Sequence, residues 1–226
     1  MPDRPEIIAH RGASRERPEN TLAAFVRAVE VHADAVELDV HLTRDGHLVV
    51  HHDPTAAGPD GRRGLHTLTL AEVAAFRVGG EPIPTLAAVI AAVGGRVRIY
   101  CELKGHGTAA AAVRALTPLG DAAAVHSFDH RMVIEARRLA PGVPRGVLES
   151  SYRADPTASL REAGARDLWQ HETLIDLPLV AAVHAAGARL IAWTVNDAAR
   201  MRDLAALGVD GICTDDAAAA RAALAR

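Results

Sequence analysis

The feature that most constrains this chain is an alternation of short strand-like runs with Ala/Leu-rich helical runs, sustained along the whole sequence. The strand candidates are Ile7 to His10, Ala35 to Leu42, Val97 to Lys104, Ala123 to Ser127, Arg145 to Glu149, Asp167 to His171, Leu190 to Val195 and Val209 to Thr214. Between them, "NTLAAFVRAVEVH" (20–32), "TLAAVIAAV" (85–93) and "LPLVAAVHAAG" (177–187) carry apolar residues at helical spacing. Asn20 or Thr21 is placed to cap the first, Asp176 and Pro178 open a later one, and Gly94, Gly187 and Gly208 follow helix ends. Strand and helix in strict alternation predict a parallel sheet, and eight such units favour closure into a (β/α)8 TIM barrel. The open doubly wound alternative lacks a Gly-x-Gly-x-x-Gly run after its first strand.

One segment breaks the rhythm. Residues 43–84, after the second strand, read as a turn and extra strand ("RDGHLVVHHDP") followed by the Gly/Pro-rich "TAAGPDGRRG", a small insertion expected to form a rim or lid. No linker interrupts the pattern, so residues 1–226 are expected to form a single barrel domain with 43–84 inside it.

The 226 residues are enough for a substantial core, and 49% hydrophobic with 23% charged residues fits a globular chain. A net charge of -3 provides no global positive field, so nucleic acid is not an expected partner and anion binding must come from local groups. No apolar run approaches the roughly 18 residues of a membrane span, so no stable membrane insertion is expected. The start "MPDRPEIIAH" has no basic segment leading into an apolar stretch, which makes the cytoplasm the expected location. Cys101 and Cys213 are too few and too far apart for a disulfide framework or zinc site, and are expected to be buried thiols. Oligomeric state is not legible.

Chemistry-bearing residues collect at the predicted C-terminal ends of the strands. In "AVELDVHL", Glu37 and Asp39 are two apart, so on a strand they share a side with Cα atoms roughly 7 Å apart, while Val36, Leu38 and Val40 face the helices. Carboxylates facing a barrel interior repel one another unless a cation neutralises them. The third strand adds Glu102, which completes an all-oxygen set suited to one divalent cation, Mg²⁺ or Ca²⁺, and on the same side Lys104, a positive charge for an anionic substrate. The alternative for each carboxylate is a salt bridge at a strand end. His10 and Arg11 end the first strand: an arginine fork suits phosphate oxygens and a histidine moves protons near neutral pH, with a structural histidine as the alternative. Gly12 is expected to let the backbone approach a ligand closely. His51 and His52 face opposite ways if extended, and parity does not choose between them. Glu19 either orients His10 or Arg11 or favours the following helix N-terminus; Trp193 either packs against a substrate or sits in the core; Asn196 and Asp215 are expected to cap helices.

Taken in order, "AHRG", "PENTLAAF", "ELDVHLTRDGHLVVHHDP", "CELK", "AWTVN" and "GVDGICTDD" resemble the glycerophosphodiester phosphodiesterases, and the likeness spans nearly the whole chain. The resemblance implies a barrel holding one Mg²⁺ or Ca²⁺ through Glu37, Asp39 and Glu102, with His10 and His52 as the acid/base pair, which selects His52 over His51. It implies that Arg11 and Lys104 bind the phosphodiester, that Glu19 and Trp193 line the same mouth, and that the small-molecule substrate is split into glycerol 3-phosphate and an alcohol. The insertion departs from the family: after "HHDP" the chain reads "TAAGPDGRRGLHTLT" where many relatives are rich in Thr, so the pocket for the alcohol is expected to differ. Two other readings keep the scaffold. One is a lysophospholipase D-like enzyme, disfavoured by only 3% aromatic residues and the Gly/Arg-rich segment 55–64. The other is a non-catalytic phosphodiester-binding barrel, which has no need of two imidazoles.

Overall fold

The structure, a computed structural model, describes residues 4–59 and 61–225. Eight parallel strands form its centre: β1 (Glu6–Ala9), β2 (Ala35–Leu42), β3 (Arg98–Leu103), β4 (Ala123–Ser127), β5 (Arg145–Glu149), β6 (Asp167–His171), β7 (Arg189–Trp193) and β8 (Gly211–Thr214). Each pairs with its neighbours in sequence, and β1 pairs with both β2 and β8, which closes the ring. Eight helices follow the strands in turn: α1 (Leu22–Glu30), α2 (Leu86–Val93), α3 (Thr108–Leu116), α4 (His130–Leu139), α5 (Ala158–Ala163), α6 (Leu177–Ala185), α7 (Ala198–Leu207) and α8 (Ala217–Ala223). The fold is the TIM barrel that alternation predicts. Among the described residues no helix is long and apolar enough to cross a membrane.

Alternation along β2 decides which way its side chains point. Val36, Leu38 and Val40 are fully buried in the layer between barrel and helices, each contributing roughly 1.5–3 kcal/mol by leaving water. A slip of one residue would drive Glu37 and Asp39 into that apolar layer, so burial of the aliphatic residues holds both carboxylates on the barrel interior. Below them Ile8, Ala35, Tyr100, Ala124, Leu148, Trp169, Ile191 and Cys213 fill the interior as a second apolar cluster. Both cysteines are buried free thiols.

Helix starts follow local chemistry. Thr21, not Asn20, caps α1, its hydroxyl accepting from the Ala24 amide at 3.2 Å, and Asp176 caps α6 with Pro178 in the first turn. Gly208 ends α7 in the left-handed conformation, φ 95°. Gly12 has φ 81°, and a Cβ there would lie 2.7 Å from the Ala24 carbonyl carbon. The freedom of this glycine therefore serves close packing of the β1 turn on α1.

The insertion is a packed rim. Leu48–Val50 pairs antiparallel with the end of β2, Val40 opposite Val50, and turns the chain back over the mouth. Two small strand pairs, Thr55–Gly58 with Gly61–Gly64 and Arg77–Val78 with Glu81–Pro82, and a short helix, Leu70–Val73, follow. Val49, Ala56, Leu65, Leu68, Val73, Phe76 and Ile83 bury one another in a separate cluster that anchors the segment.

Candidate active site

At the C-terminal mouth, the interior faces of β2 and β3 bring Glu37, Asp39, Glu102 and Lys104 together, with Asp39 directly opposite Glu102 in the register. All three carboxylates are buried. Lys104 Nζ lies 3.2 Å from Asp39 Oδ1 and 3.0 Å from Glu102 Oε1. Burial lowers the ammonium pKa, but the two carboxylates outweigh it and keep Lys104 charged. Asp39 also takes a hydrogen bond from Asn20 Nδ2 at 2.8 Å and lies 3.3 Å from Arg11 Nε. Burial works against its charged form, yet Lys104 and Arg11 hold its pKa below the ordinary range. Glu102 moves the other way: burial and the negative charges of Asp39 and Glu37 push it up, more than Lys104 draws it down. Glu102 is thus drawn toward its protonated form unless further positive charge is supplied beside it.

Ligand-type atoms of Glu37, Glu102 and His126 lie within 4.8 Å of one another, the grouping among the described residues that is suited to a metal ion. Asp39 stands beside this group with its oxygens turned to Lys104, Arg11 and Asn20. His126, on β4 opposite Glu102, is absent from the sequence expectation. Its parity with interior Ala124 on the run "AAVHS" is the signal that could have found it.

His10 follows β1 and is held by β8. Its amide donates to the Thr214 carbonyl at 2.8 Å and its Nδ1 to Asp215 Oδ1 at 2.6 Å. Asp215 also accepts from Asn196 Nδ2 at 2.7 Å and Ser14 Oγ at 3.2 Å, and Asn196 Oδ1 accepts from the Asp215 amide at 3.0 Å. Asp215 and Asn196 are therefore not helix caps; the following residues, Asp216 and Asp197, do that work for α8 and α7. Burial lowers the His10 pKa, but the Asp215 hydrogen bond and the Glu37 charge overcome it and raise it. Burial likewise opposes the charge on Asp215, whose bonds from His10, Asn196 and Ser14 bring it down to about 2.

Arg11, at φ 57°, turns back across the mouth. Its amide donates to Glu37 Oε2 at 3.2 Å and its Nη1 lies 3.0 Å from both oxygens of Glu19. Glu19 thus fixes Arg11 and meets the site through it.

His52 completes the mouth from the rim. His41 Nε2 donates to its carbonyl at 3.0 Å, and its own Nδ1 donates to Asp53 Oδ1 at 2.9 Å, with Asp53 held in turn by Arg62 at 3.1 Å. His51 is turned to the Thr55 carbonyl, 3.3 Å away. A cavity of about 120 Å³ is lined by His10, Arg11, Glu37, His52, Glu102, Lys104 and His126, with Phe128, Trp169 and Trp193 among its walls. Trp193 meets Phe128 and His171 edge to face, each at 5.2 Å. A groove of about 690 Å³ shares His52, Glu102, Lys104 and Phe128 and continues over Leu42, Pro54, Leu103 and Met132.

Two imidazoles, each carrying a carboxylate on Nδ1, share this cavity with a guanidinium, an ammonium and buried carboxylates: proton donors and acceptors beside anion-binding groups. Comparison with known proteins points the same way. A glycerophosphodiester phosphodiesterase of Caldanaerobacter subterraneus subsp. tengcongensis is 34% identical over 93% of both chains, and one of Bacillus altitudinis 30% identical over 93% of this chain and 94% of its own. Among solved structures, an Oleispira antarctica phosphodiesterase in complex with the product sn-glycerol-3-phosphate matches with a TM-score of 0.88 at 27% identity, over 97% of this chain and 96% of that one. A Thermotoga maritima glycerophosphodiester phosphodiesterase matches with a TM-score of 0.83 at 26% identity, over 95% and 96%. Matched by one family model from residue 10 to residue 219, and by relatives along almost its full length, the chain belongs to the glycerophosphoryl diester phosphodiesterase family.

Proposed function

We propose that this glycerophosphodiester phosphodiesterase hydrolyses small, deacylated glycerophosphodiesters to glycerol 3-phosphate and an alcohol, with His10 and His52 as acid and base and one divalent cation as cofactor. The observation that carries the reading is the convergence of both imidazoles, Arg11 and Lys104 on one cavity floored by Glu37 and Glu102. Arg11 and Lys104 hold the phosphodiester oxygens. Glu37, Asp39 and Glu102 would hold the divalent cation, which would supply charge to offset the substrate anion and to acidify an oxygen nucleophile. The donor set fits that role, because buried carboxylates there outnumber the cations that face them.

Each histidine engages a carboxylate through Nδ1, which leaves Nε2 for the reaction. The better buried pair, His10 with Asp215, favours imidazolium and makes His10 the donor; His52 is the acceptor. As a water molecule attacks phosphorus, its proton passes to His52 Nε2. The bond from phosphorus to the alcohol oxygen breaks, and His10 Nε2 protonates that oxygen. Trp193 forms a wall of the cavity against a glycerol face, and Glu19 keeps Arg11 aimed.

The test is release of glycerol 3-phosphate from glycerophosphocholine or glycerophosphoethanolamine by purified protein, abolished by EDTA and restored by added divalent cation. Full activity in EDTA would remove the metal from the proposal, and a His10→Ala/His52→Ala protein as fast as the parent would remove the acid/base pair. One observation favours a second reading, cleavage of lysophospholipids: the apolar groove over Leu42, Leu103, Phe128 and Met132 leads away from the cavity. Faster turnover of lysophosphatidylcholine than of glycerophosphocholine would select that reading.

A further inference from the structure

We propose that His126 is a direct nitrogen ligand of the divalent cation, and that this chain therefore favours first-row transition metals that accept nitrogen, Mn²⁺ among them, over Mg²⁺ and Ca²⁺. The inference rests on the metal-dependent reading above and adds a nitrogen to its oxygen ligands.

Position comes first. His126 lies opposite Glu102 in the β3–β4 register, and ligand-type atoms of Glu37, Glu102 and His126 lie within 4.8 Å of one another. Ligands about 2.0–2.4 Å from one cation stand roughly 3–4.8 Å from each other, so the three side chains are already spaced for a common ion.

The second observation is an unmet need. His126 is 1% exposed, and its Nδ1 has no hydrogen-bond partner. Its Nε2 is 3.6 Å from Glu37 Oε1, beyond a hydrogen bond. Among the described residues neither ring nitrogen is held by a hydrogen bond, so Nε2, which faces Glu37, stays available to an ion placed between them.

The third is orientation. The His126 ring stacks on Trp169, centroids 4.3 Å apart at 31°, and Trp169 meets Tyr100 edge to face at 5.0 Å. A Cβ on Gly146 would lie 2.8 Å from the Trp169 indole and 3.2 Å from His126 Cβ, so the stack depends on a glycine at that point of β5. The ring is thus held beside the carboxylates by packing on Trp169 within the barrel.

Asp39 and Glu102 both meet Lys104, so the carboxylates are shared between the fixed cations and an added ion. An imidazole nitrogen added to the carboxylate oxygens lowers the fit to hard Mg²⁺ and Ca²⁺ and raises it for metals that accept nitrogen.

Chelator-stripped full-length protein is titrated calorimetrically with Mn²⁺, Mg²⁺ and Ca²⁺ separately, and the Mn²⁺ form is examined by electron spin echo envelope modulation for a coupled ¹⁴N nucleus. The expected result is ¹⁴N modulation in the parent that disappears in His126→Gln, with Mn²⁺ affinity falling by about tenfold or more and Ca²⁺ affinity changing by less than about threefold. The parent spectrum requires no variant, so poor folding of His126→Gln would not mask the answer. Mn²⁺ bound without ¹⁴N modulation, or modulation that persists in His126→Gln, overturns the nitrogen ligand and leaves the metal-dependent reading standing. Failure of every cation to bind the parent overturns both.

Discussion

Replacing Asp215 by Asn tests the His10 assignment most directly. The substitution keeps the side-chain shape while removing the charge that accepts from His10 Nδ1 at 2.6 Å. A hydrogen bond to a charged group contributes about 1.5–3 kcal/mol, and a carboxylate one-third exposed to solvent belongs in the lower half of that range. A loss of about 1.5–2 kcal/mol lowers the His10 pKa by roughly 1–1.5. Glu37 still raises it, and Arg11 and burial still lower it, so the ring remains titratable. Well above the parent pKa, the variant carries about 10–30-fold less imidazolium; well below the variant pKa, both are protonated. The ratio of parent to variant kcat/KM should therefore climb through that interval on the alkaline side and shrink as pH falls, with the alkaline limb displaced to lower pH. Stability follows the same linkage. The raised pKa of His10 contributes fully below its unfolded value of about 6.5 and is lost as pH rises through the folded pKa. The depressed pKa of Asp215 contributes above about 3.9 and is lost as pH falls toward about 2. The parent's excess stability should thus peak between about pH 4 and 6.5. NMR titration of the His10 ring, run beside the pH–rate profile, provides the check: an unmoved His10 titration, or a rate ratio independent of pH, would refute the pairing as the source of the proton donor.

Three further outcomes are expected. Lys104→Met removes the cation shared by Asp39 and Glu102; kcat/KM should fall roughly a hundredfold or more, and the melting temperature should fall in EDTA but recover with added divalent cation. Trp193→Ala removes a cavity wall and should raise KM for glycerophosphocholine about tenfold with a smaller change in kcat, measured by steady-state kinetics. Gly146→Ala forces a methyl against the Trp169 indole and should cost about 1–3 kcal/mol, read as a lower denaturant midpoint at constant slope.

The barrel was legible because its determinants are local and periodic. Alternation in "AVELDVHL" sorts valines from carboxylates without knowledge of any other strand, and the bounds of β2, β4, β5 and β6 coincide with the apolar runs that define them. What escaped depends on partners distant in sequence. Asn196 and Asp215 have the composition of helix caps, yet their side chains join β7 and β8 to His10, a contact spanning 205 positions. Asn20 resembles a cap as well, but the next residue fills that role and leaves its amide free for Asp39. Gly12 announces an unusual backbone without naming its neighbour, which proves to be α1. His126 sits in an apolar run with no sequence neighbour of related chemistry, and only ring closure brings it to Glu37 and Glu102.

Charge at the two ends of the barrel supports the same division of labour. At the N-terminal end, Glu6 meets Arg98 and Arg189, Asp167 meets Arg166 and Arg189, and Asp34 meets Arg4, so each carboxylate has a guanidinium partner. At the C-terminal end, Glu37, Asp39 and Glu102 are joined by Glu19 and Asp215 around two permanent cations, Arg11 and Lys104, and His10 is already committed to Asp215. Between the ends lies the apolar layer of Ile8, Leu148, Trp169 and Ile191, whose low polarisability does little to screen charge. A substrate anion entering the upper mouth would add to an existing excess of negative charge. Arg11 and Lys104 are already engaged by carboxylates, so they can turn toward phosphate oxygens without leaving buried acids exposed only if another positive charge takes over those acids. That exchange gives the proposed cation a role in freeing the phosphate-binding groups as well as in neutralising the site.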